Sequence, residues 1–462
     1  MSGYNFRPLD REQNYLFPPS LKDWLPEGDL AWFIIDAVSQ MELEAFYVRY
    51  RDDGWGNAAY EPSMMVSLLL YAYCLGERSS RRIERLCERD IGFRVITANQ
   101  VPDHSTIARF RKDNEQALAA LFTEVLRLCA EAGMVKVGVV ALDGTKMKAN
   151  ASLEANRTYS SIEEEVRRML EEAQAQDSEE DRLYGSGRRG DELPEGLQDR
   201  GERLRRLKQA KERLEGEAAE EAARQAEKIE KRAQEEKKTG RKKRGRKPKA
   251  PDDTPQAGAK ANITDPESRI MKTRTGYLQG YTILAQGNAQ AVVTRDQMIV
   301  SADVTQAEND VQQLHSMLEQ TQEDLSAAGV EEAPGVALAD AGYWSESNLT
   351  KADPEGPELL IATTKDWKQR KALREKGPPR GRIPGDLSLR DRMERKLRTK
   401  RGWGLYRQRG WIVEPVFGHI KHARRCDGFM RRGHAAARSE WRLMTAAHNL
   451  LKLWRSGQAA WA

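Results

Sequence analysis

Two apolar runs that each stop on an aspartate constrain this chain more than any other feature: Val139-Val-Ala-Leu-Asp143-Gly-Thr and Val336-Ala-Leu-Ala-Asp340-Ala-Gly-Tyr343. A short aliphatic run bounded by turn residues reads as a buried strand. When the run ends on a carboxylate, it delivers that acid to the edge of a sheet, where ligands bind in open α/β folds. A lone glutamate, Glu414, precedes a third apolar pattern in Val413-Glu-Pro-Val-Phe-Gly-His-Ile-Lys421. Three acids on separate elements suit a pair of Mg²⁺ ions, because hard cations take oxygen ligands and clamp the attacking and leaving oxygens of a phosphodiester. Taken singly, a strand-end aspartate is a common turn residue. Taken together, the three point to phosphoryl transfer on nucleic acid.

The formal charge of +5 hides an asymmetry: Trp367 to Ser456 holds 25 Lys and Arg against 7 Asp and Glu, a local net of +18 that leaves −13 for the rest. The same stretch carries Trp403, Tyr406, Trp411, Phe417, Phe429 and Trp441. Basic residues interleaved with aromatics suit a surface that tracks a nucleic-acid backbone, since phosphate contacts supply most of the affinity. Arg424 and Arg425 are DNA-contact candidates within it, and an acid such as Glu414 is unexpected there unless a metal needs it.

Other classes are disfavoured. Cys74, Cys87, Cys129 and Cys426 are scattered without CxxC spacing, so neither a disulfide framework nor a zinc ribbon is expected and a reducing cytosol fits. His419, His422 and Cys426 lack a fourth zinc ligand. No signal peptide is read at the N-terminus, and the longest nearly apolar segment, Met64 to Leu75, is too short for a bilayer. No membrane or small-molecule cofactor is expected.

With 462 residues, the chain is long enough for several domains. Residues 1–135 read as helical after a Pro-rich lead, with apolar positions at helical spacing. Within them, Ser105 or Thr106 is a plausible N-cap for a short helix that projects Arg109, Arg111 and Lys112. With the helix of residues 80–89, it is either a helix-turn-helix that enters a major groove or an ordinary capped surface helix. Asp103, His104 and Ser105 cannot form a triad, because consecutive residues cannot take its spatial roles.

Residues 136–154 carry the first strand, and 155–261 form a charged insertion rich in Glu, Arg, Lys, Gln and Ala. Its apolar content predicts no core, only solvated helices or a helical hairpin held by i,i+4 pairs. It ends in the basic run Arg241 to Lys249, which resembles a minor-groove AT-hook interrupted by Lys247 or is a basic linker. Residues 262–457 return to strand signals. Tyr277 to Gln286 and Gln290 to Val304 read as a hairpin turning at Gln286-Gly-Asn. A helix over 305–325, a buried strand at 335–340, a short helix over 345–351 and a strand at 359–364 follow, which predicts a mixed α/β sheet.

Three carboxylates close together without metal would repel one another, and divalent ions remove that cost. Lys421, seven residues after Glu414, lies about two turns on along one helix face and could hold a phosphate beside the metals. Arg409 and Tyr406 could contact the strand backbone, or be generic basic-surface residues.

The chain resembles the DDE transposases of bacterial insertion sequences, enzymes with an RNase H-like catalytic domain. Carrying the resemblance are Tyr60-Glu-Pro-Ser-Met and Val101-Pro-Asp-His-Ser-Thr-Ile-Ala-Arg-Phe, Asp143 in Leu-Asp-Gly-Thr, Asp340 in Ala-Asp-Ala-Gly-Tyr, and Glu414 in Val-Glu-Pro-Val-Phe-Gly-His-Ile-Lys. Asn262-Ile-Thr-Asp-Pro-Glu-Ser-Arg-Ile-Met-Lys and Gly280-Tyr-Thr belong to it as well. The family's Tyr, Arg, Glu, Lys signature is met at Tyr406–Arg409 and Glu414–Lys421, whereas four residues rather than three separate Arg409 from Glu414. The resemblance implies an RNase H-like mixed sheet flanked by helices, an N-terminal all-α domain, and Asp143, Asp340 and Glu414 as metal ligands with Lys421 beside them. It further implies two Mg²⁺ ions, with Mn²⁺ able to serve in their place. The expected activity is strand cleavage at terminal inverted repeats and strand transfer to target DNA by a homodimer in the bacterial cytoplasm at the nucleoid. The rivals are an RNase H-like nuclease without strand transfer and a non-catalytic DNA-binding regulator.

Overall fold

The chain is described from a computed structural model over residues 20–50, 58–184, 195–239, 248–273, 276–280, 289–304, 311, 313–382, 384 and 386–459. Its N-terminal part is helical: α1 (Leu30–Ser39), α2 (Glu44–Tyr47), α3 (Pro62–Cys74), α4 (Ser80–Arg89), α5 (Ile91–Ile96), α6 (His104–Asp113) and α7 (Glu115–Glu131). Caps start these helices where the sequence supplies a carboxylate. Asp29 accepts from Ala31 N ahead of α1, and Glu61 accepts from Met64 N ahead of α3, whose Pro62 needs no donor at that position. Asp103, rather than Ser105 or Thr106, caps α6, accepting from the amides of both at 2.9 and 3.0 Å. A carboxylate one turn ahead accepts both amides at once, which a hydroxyl inside the turn cannot do.

After α7 the chain enters β1 (Val139–Thr145) and β2 (Asn156–Thr158), then the long helices α8 (Tyr159–Tyr184) and α9 (Glu195–Thr239). There follow β3 (Lys260–Asn262), β4 (Arg269–Thr273), β5 (Gly276–Gly280), β6 (Ala289–Thr294), β7 (Ile299–Val304), α10 (Gln313–Ala327), β8 (Val336–Ala339), α11 (Glu346–Thr350) and β9 (Glu358–Ile361). Helices α12 (Trp367–Glu375), α13 (Leu389–Arg398), α14 (Lys400–Tyr406) and α15 (Gln408–Gly418) lead through a π-helical turn, His419–Ala423, to α16 (His434–Ser456).

The main sheet has the order β7-β6-β1-β8-β9. β7, β6 and β1 run antiparallel, while β8 and β9 lie parallel to β1. This five-strand mixed sheet flanked by helices is consistent with an RNase H-like fold. β6 and β7 correct the expected hairpin: 290–304 is itself a hairpin turning at Arg295 to Met298, with Gln297 at φ +62°. Gln297 supplies the left-handed conformation that Gly or Asn usually signals, which leaves Asp296 as the turn's sequence cue. β5 pairs instead with β4, and the expected turn at 286–288 lies outside the described residues.

One apolar core runs unbroken from the N-terminal helices through the main sheet to α15 and α16. α16 lies at its centre. Asn449 there brackets Ile299 of β7, accepting from its amide at 3.0 Å and donating to its carbonyl at 2.7 Å. Gly76, in the turn after α3, has φ +80° and presses on the segment after the π turn: an added Cβ would collide with Arg424 O.

The insertion has a core after all. Ile162, Val166 and Met169 of α8 meet Leu207, Ala210 and Leu214 of α9, with Ala261 beneath. Each helix offers a narrow stripe at i, i+3/i+4, i+7, enough to bury an antiparallel seam although the composition is polar. Arg213, Arg269 and Glu217 dock α9 onto β4. The basic run at 241–247 lies outside the described residues. Among the described residues no helix is long and apolar enough to cross a membrane.

Candidate active site

Parallel pairing of β1 with β8 sets Val139 beside Val336 and Ala141 beside Leu338. Two residues further along that register stand Asp143 and Asp340, at the same edge and on the same face of neighbouring strands. The strands lie about 4.8 Å apart. Asp143 Oδ1 accepts from Gly144 N at 2.9 Å, and Asp340 Oδ1 accepts from Gly342 N at 2.7 Å. Asp340 thus closes a turn in which Tyr343 N also reaches Asp340 O at 3.2 Å.

Glu414 sits on α15, which packs against β1 and β6. Ile412, Val413, Val416 and Phe417 face the core, while Glu414 is exposed. Its carboxylate lies back over Gly410, where an added Cβ would be 3.4 Å from Oε1. The two aspartates come together, but Glu414 does not join them: among the described residues no three His, Cys, Asp or Glu converge as a metal site. The cation at the site is Arg409, whose Nη2 lies 2.7 Å from Asp143 Oδ2. Burial works against the charge of Arg409, but Asp143, Tyr406, Asp340 and Tyr343 outweigh it and hold the guanidinium above its usual range. The strand acids therefore fit a cation, with hard oxygens on adjacent strands and a cationic group already drawn to them. Glu414 is placed on a neighbouring helix without completing the set.

The π turn changes the helix phase after Glu414, so Lys421 is aimed at the end of β1 rather than along one α-helical face. Its Nζ donates to Thr145 Oγ1 at 3.1 Å and Lys146 O at 2.8 Å. Burial draws the Lys421 ammonium below its usual range, opposed by Asp427 and assisted by Lys148. Tyr406 is half-buried against the main core.

Two expected DNA contacts are corrected. Arg111 is 6% exposed, and its guanidinium donates inward to Arg78 O at 2.7 Å and to Ser80 Oγ. Arg424 is 5% exposed and donates to Met444 O at 2.9 Å and Tyr73 O at 3.3 Å. Both hold the N-terminal helices against their surroundings and offer nothing to a groove. Arg109 and Lys112 are exposed on α6, as is Arg425 after the π turn. A whole helix, α5, stands between α4 and α6, so these two helices are not joined by the short turn of a helix-turn-helix.

Other residues of the site were not singled out from sequence. Tyr343, fully buried, donates its hydroxyl to Gln290 Oε1, and Trp441 Nε1 donates to Gln290 O at 2.9 Å. Gln290 of β6 pairs with Gly144, so Tyr343 ties the Asp340 turn across β1. A buried polar residue within the run Ala-Gln-Ala-Val-Val-Thr was the available signal. Buried Glu440 of α16 accepts from Met430 N, Arg431 N and Arg78 Nη1, and Arg78 reaches Gly428 O and Arg425 O. Gly428 in turn bridges Lys148, five residues past Asp143. His419 Nδ1 faces His448 Nδ1 at 3.1 Å, and the four cysteines are buried and free of disulfides; among the described residues no three His, Cys, Asp or Glu cluster there.

A five-strand mixed sheet flanked by helices, with two aspartates in register at the end of neighbouring strands, is consistent with an RNase H-like fold. Residues 19–113 match the family described as a transposase domain (DUF772), and residues 230–450 match the transposase DDE domain. The chain belongs to the insertion-sequence DDE transposases. The second match contains Asp340 and Glu414, and Asp143 lies ahead of it beyond the charged insertion. No curated protein and no solved structure matches the chain.

Proposed function

We propose that the chain binds the terminal inverted repeats of an insertion sequence, cleaves a phosphodiester there to free a 3′-hydroxyl, and joins that hydroxyl to target DNA. The observation that carries this reading is the register of Asp143 with Asp340 at one sheet edge, in a chain matching transposase families at both ends. Asp143 and Asp340 are the residues that would hold divalent metal, Mg²⁺ or Mn²⁺ in its place, and Glu414 on α15 would complete the set only by moving toward them from the position it has here. Bound there, the ions supply Lewis-acid polarisation of the phosphate and lower the pKa of the attacking hydroxyl or water. Lys421, tethered to Thr145 at the end of β1, offers an ammonium to a phosphate oxygen. Tyr343 and Gln290 keep the Asp340 turn fixed relative to β1.

DNA is held chiefly through its phosphates. Lys368, Lys376, Arg380, Arg382, Lys400 and Arg407, on and around α12–α14, and Arg425 after the π turn are exposed and supply the phosphate contacts in this reading. Arg109 and Lys112, exposed on α6, are further phosphate contacts in this reading. Residues 1–135 and 155–261 serve, in this reading, as helical additions to a catalytic unit built from 136–154 and 262–457. Two element ends call for at least a homodimer on DNA.

The test incubates the full chain with pre-cleaved terminal-repeat DNA, a target plasmid and Mg²⁺. A joined product is expected. Nicking without joining would leave a nuclease, and binding without either reaction would leave a regulator.

A further inference from the structure

Both oxygens of Asp143 are engaged. Oδ1 accepts from Gly144 N at 2.9 Å, and Oδ2 is held by Arg409 at 2.7 Å, with the two side chains 22% and 16% exposed. A guanidinium and a divalent ion cannot both lie against one carboxylate without strong like-charge repulsion at a site that water screens poorly. Arg409 is also incompletely served where it sits: its Nε is buried with no acceptor among the described residues. A guanidinium carries five donors in a planar fork, which phosphate oxygens match two at a time and a single carboxylate oxygen does not. Arg409 therefore has a better partner in a phosphodiester than in its present one. Asp143 likewise has a better partner in a divalent cation.

We propose that Arg409 competes with divalent metal for Asp143, and that a DNA phosphate draws the guanidinium away, so that DNA binding and metal loading favour each other. This rests on the reading of Asp143 as a metal ligand. The coupling is reciprocal by linkage: whatever DNA adds to metal affinity, metal adds to DNA affinity. The functional consequence is an enzyme that loads its ions on DNA and carries little metal-dependent nuclease capacity in free solution.

The test is Mn²⁺ binding, read as loss of the free-ion EPR signal, on the full chain without DNA and then with a blunt duplex. Without DNA, Arg409→Gln is expected to bind Mn²⁺ at least about tenfold more tightly than wild type, because the competing state is removed. With duplex, wild type should tighten while Arg409→Gln changes much less. Arg409→Gln binding no tighter than wild type overturns the proposal. Should that variant fold poorly by circular dichroism, Arg409→Lys replaces the fork with a single ammonium and should move in the same direction; no gain there overturns the proposal equally. Asp143→Asn separates the two layers. Loss of Mn²⁺ binding in Asp143→Asn without a gain in the Arg409 variants refutes only the competition, whereas Mn²⁺ binding unchanged in Asp143→Asn refutes the metal-ligand reading beneath it.

Discussion

Asp324→Ala should be among the most destabilising single changes in this chain. Asp324 of α10 and Arg442 of α16 are each 9% exposed and pair at 2.8 Å, and Ser301 Oγ of β7 donates to the second oxygen of Asp324 at 2.7 Å. The same guanidinium reaches Ala119 O of α7 at 2.9 Å and lies 4.8 Å over the Phe122 ring. Removing the carboxylate leaves a buried cation without its counter-charge and a buried hydroxyl without its acceptor. Breaking a buried pair from one side costs about 3–5 kcal/mol. Arg442 keeps main-chain acceptors and the aromatic face, which places the expected loss near the lower end, at about 3 kcal/mol. Urea unfolding followed by tryptophan fluorescence measures it, with Glu202→Ala as the control. Glu202 pairs with Arg205 at 2.8 Å, but the two side chains are 49% and 60% exposed, so its loss should leave the urea midpoint essentially unchanged. Equal effects of the two substitutions would refute the reasoning from burial.

Half-buried His419 and buried His448, which face each other, should make stability depend on pH. Burial draws His419 down to about 4 and His448 well below its usual value, with Arg424 adding to both. Their folded pKa values lie below the unfolded value of about 6.5, so the unfolded chain binds more protons as pH falls; their contribution is intact above about 6.5 and is lost toward about 4. Urea midpoints should fall between pH 7 and 5, and His448→Gln should flatten that slope; a flat wild-type profile would contradict it. Leu207→Ala, at a fully buried position of the small insertion core, should cost about 2–4 kcal/mol locally. Hydrogen exchange should speed up in α8 and α9 while α16 stays protected, and equal loss of protection in α16 would show that the two cores are not separate.

The strands bearing Asp143 and Asp340 were legible because a short apolar run closed by Asp and Gly has few other readings. That they are neighbours in parallel register was not, since pairing between residues so far apart in sequence leaves no local mark. Arg424 and Arg442 show why the charge count over residues 367–456 overstated the basic surface, and Arg111 repeats the pattern among the N-terminal helices. A guanidinium buried on main-chain carbonyls looks the same in sequence as one facing solvent. The seam of α8 with α9 was diluted by polar residues around six apolar ones, and its stripes make sense only once the helices are known to be antiparallel. Lys421 was read at α-helical phase, and the π turn that re-aims it has no residue signature.

Asp143 and Asp340, joined by Glu414 from α15, are the proposed metal ligands for phosphoryl transfer. The most direct measurement is a change of metal preference. Each acid is replaced in turn by cysteine, and cleavage of terminal-repeat DNA is assayed with Mg²⁺ and with Mn²⁺, with DNA binding measured alongside. A thiolate is a poor ligand for Mg²⁺ and a better one for softer ions. Each variant is expected to bind DNA, to lose cleavage in Mg²⁺ and to regain part of it in Mn²⁺. A variant that cleaves at the wild-type rate in Mg²⁺ would contradict the claim for that acid.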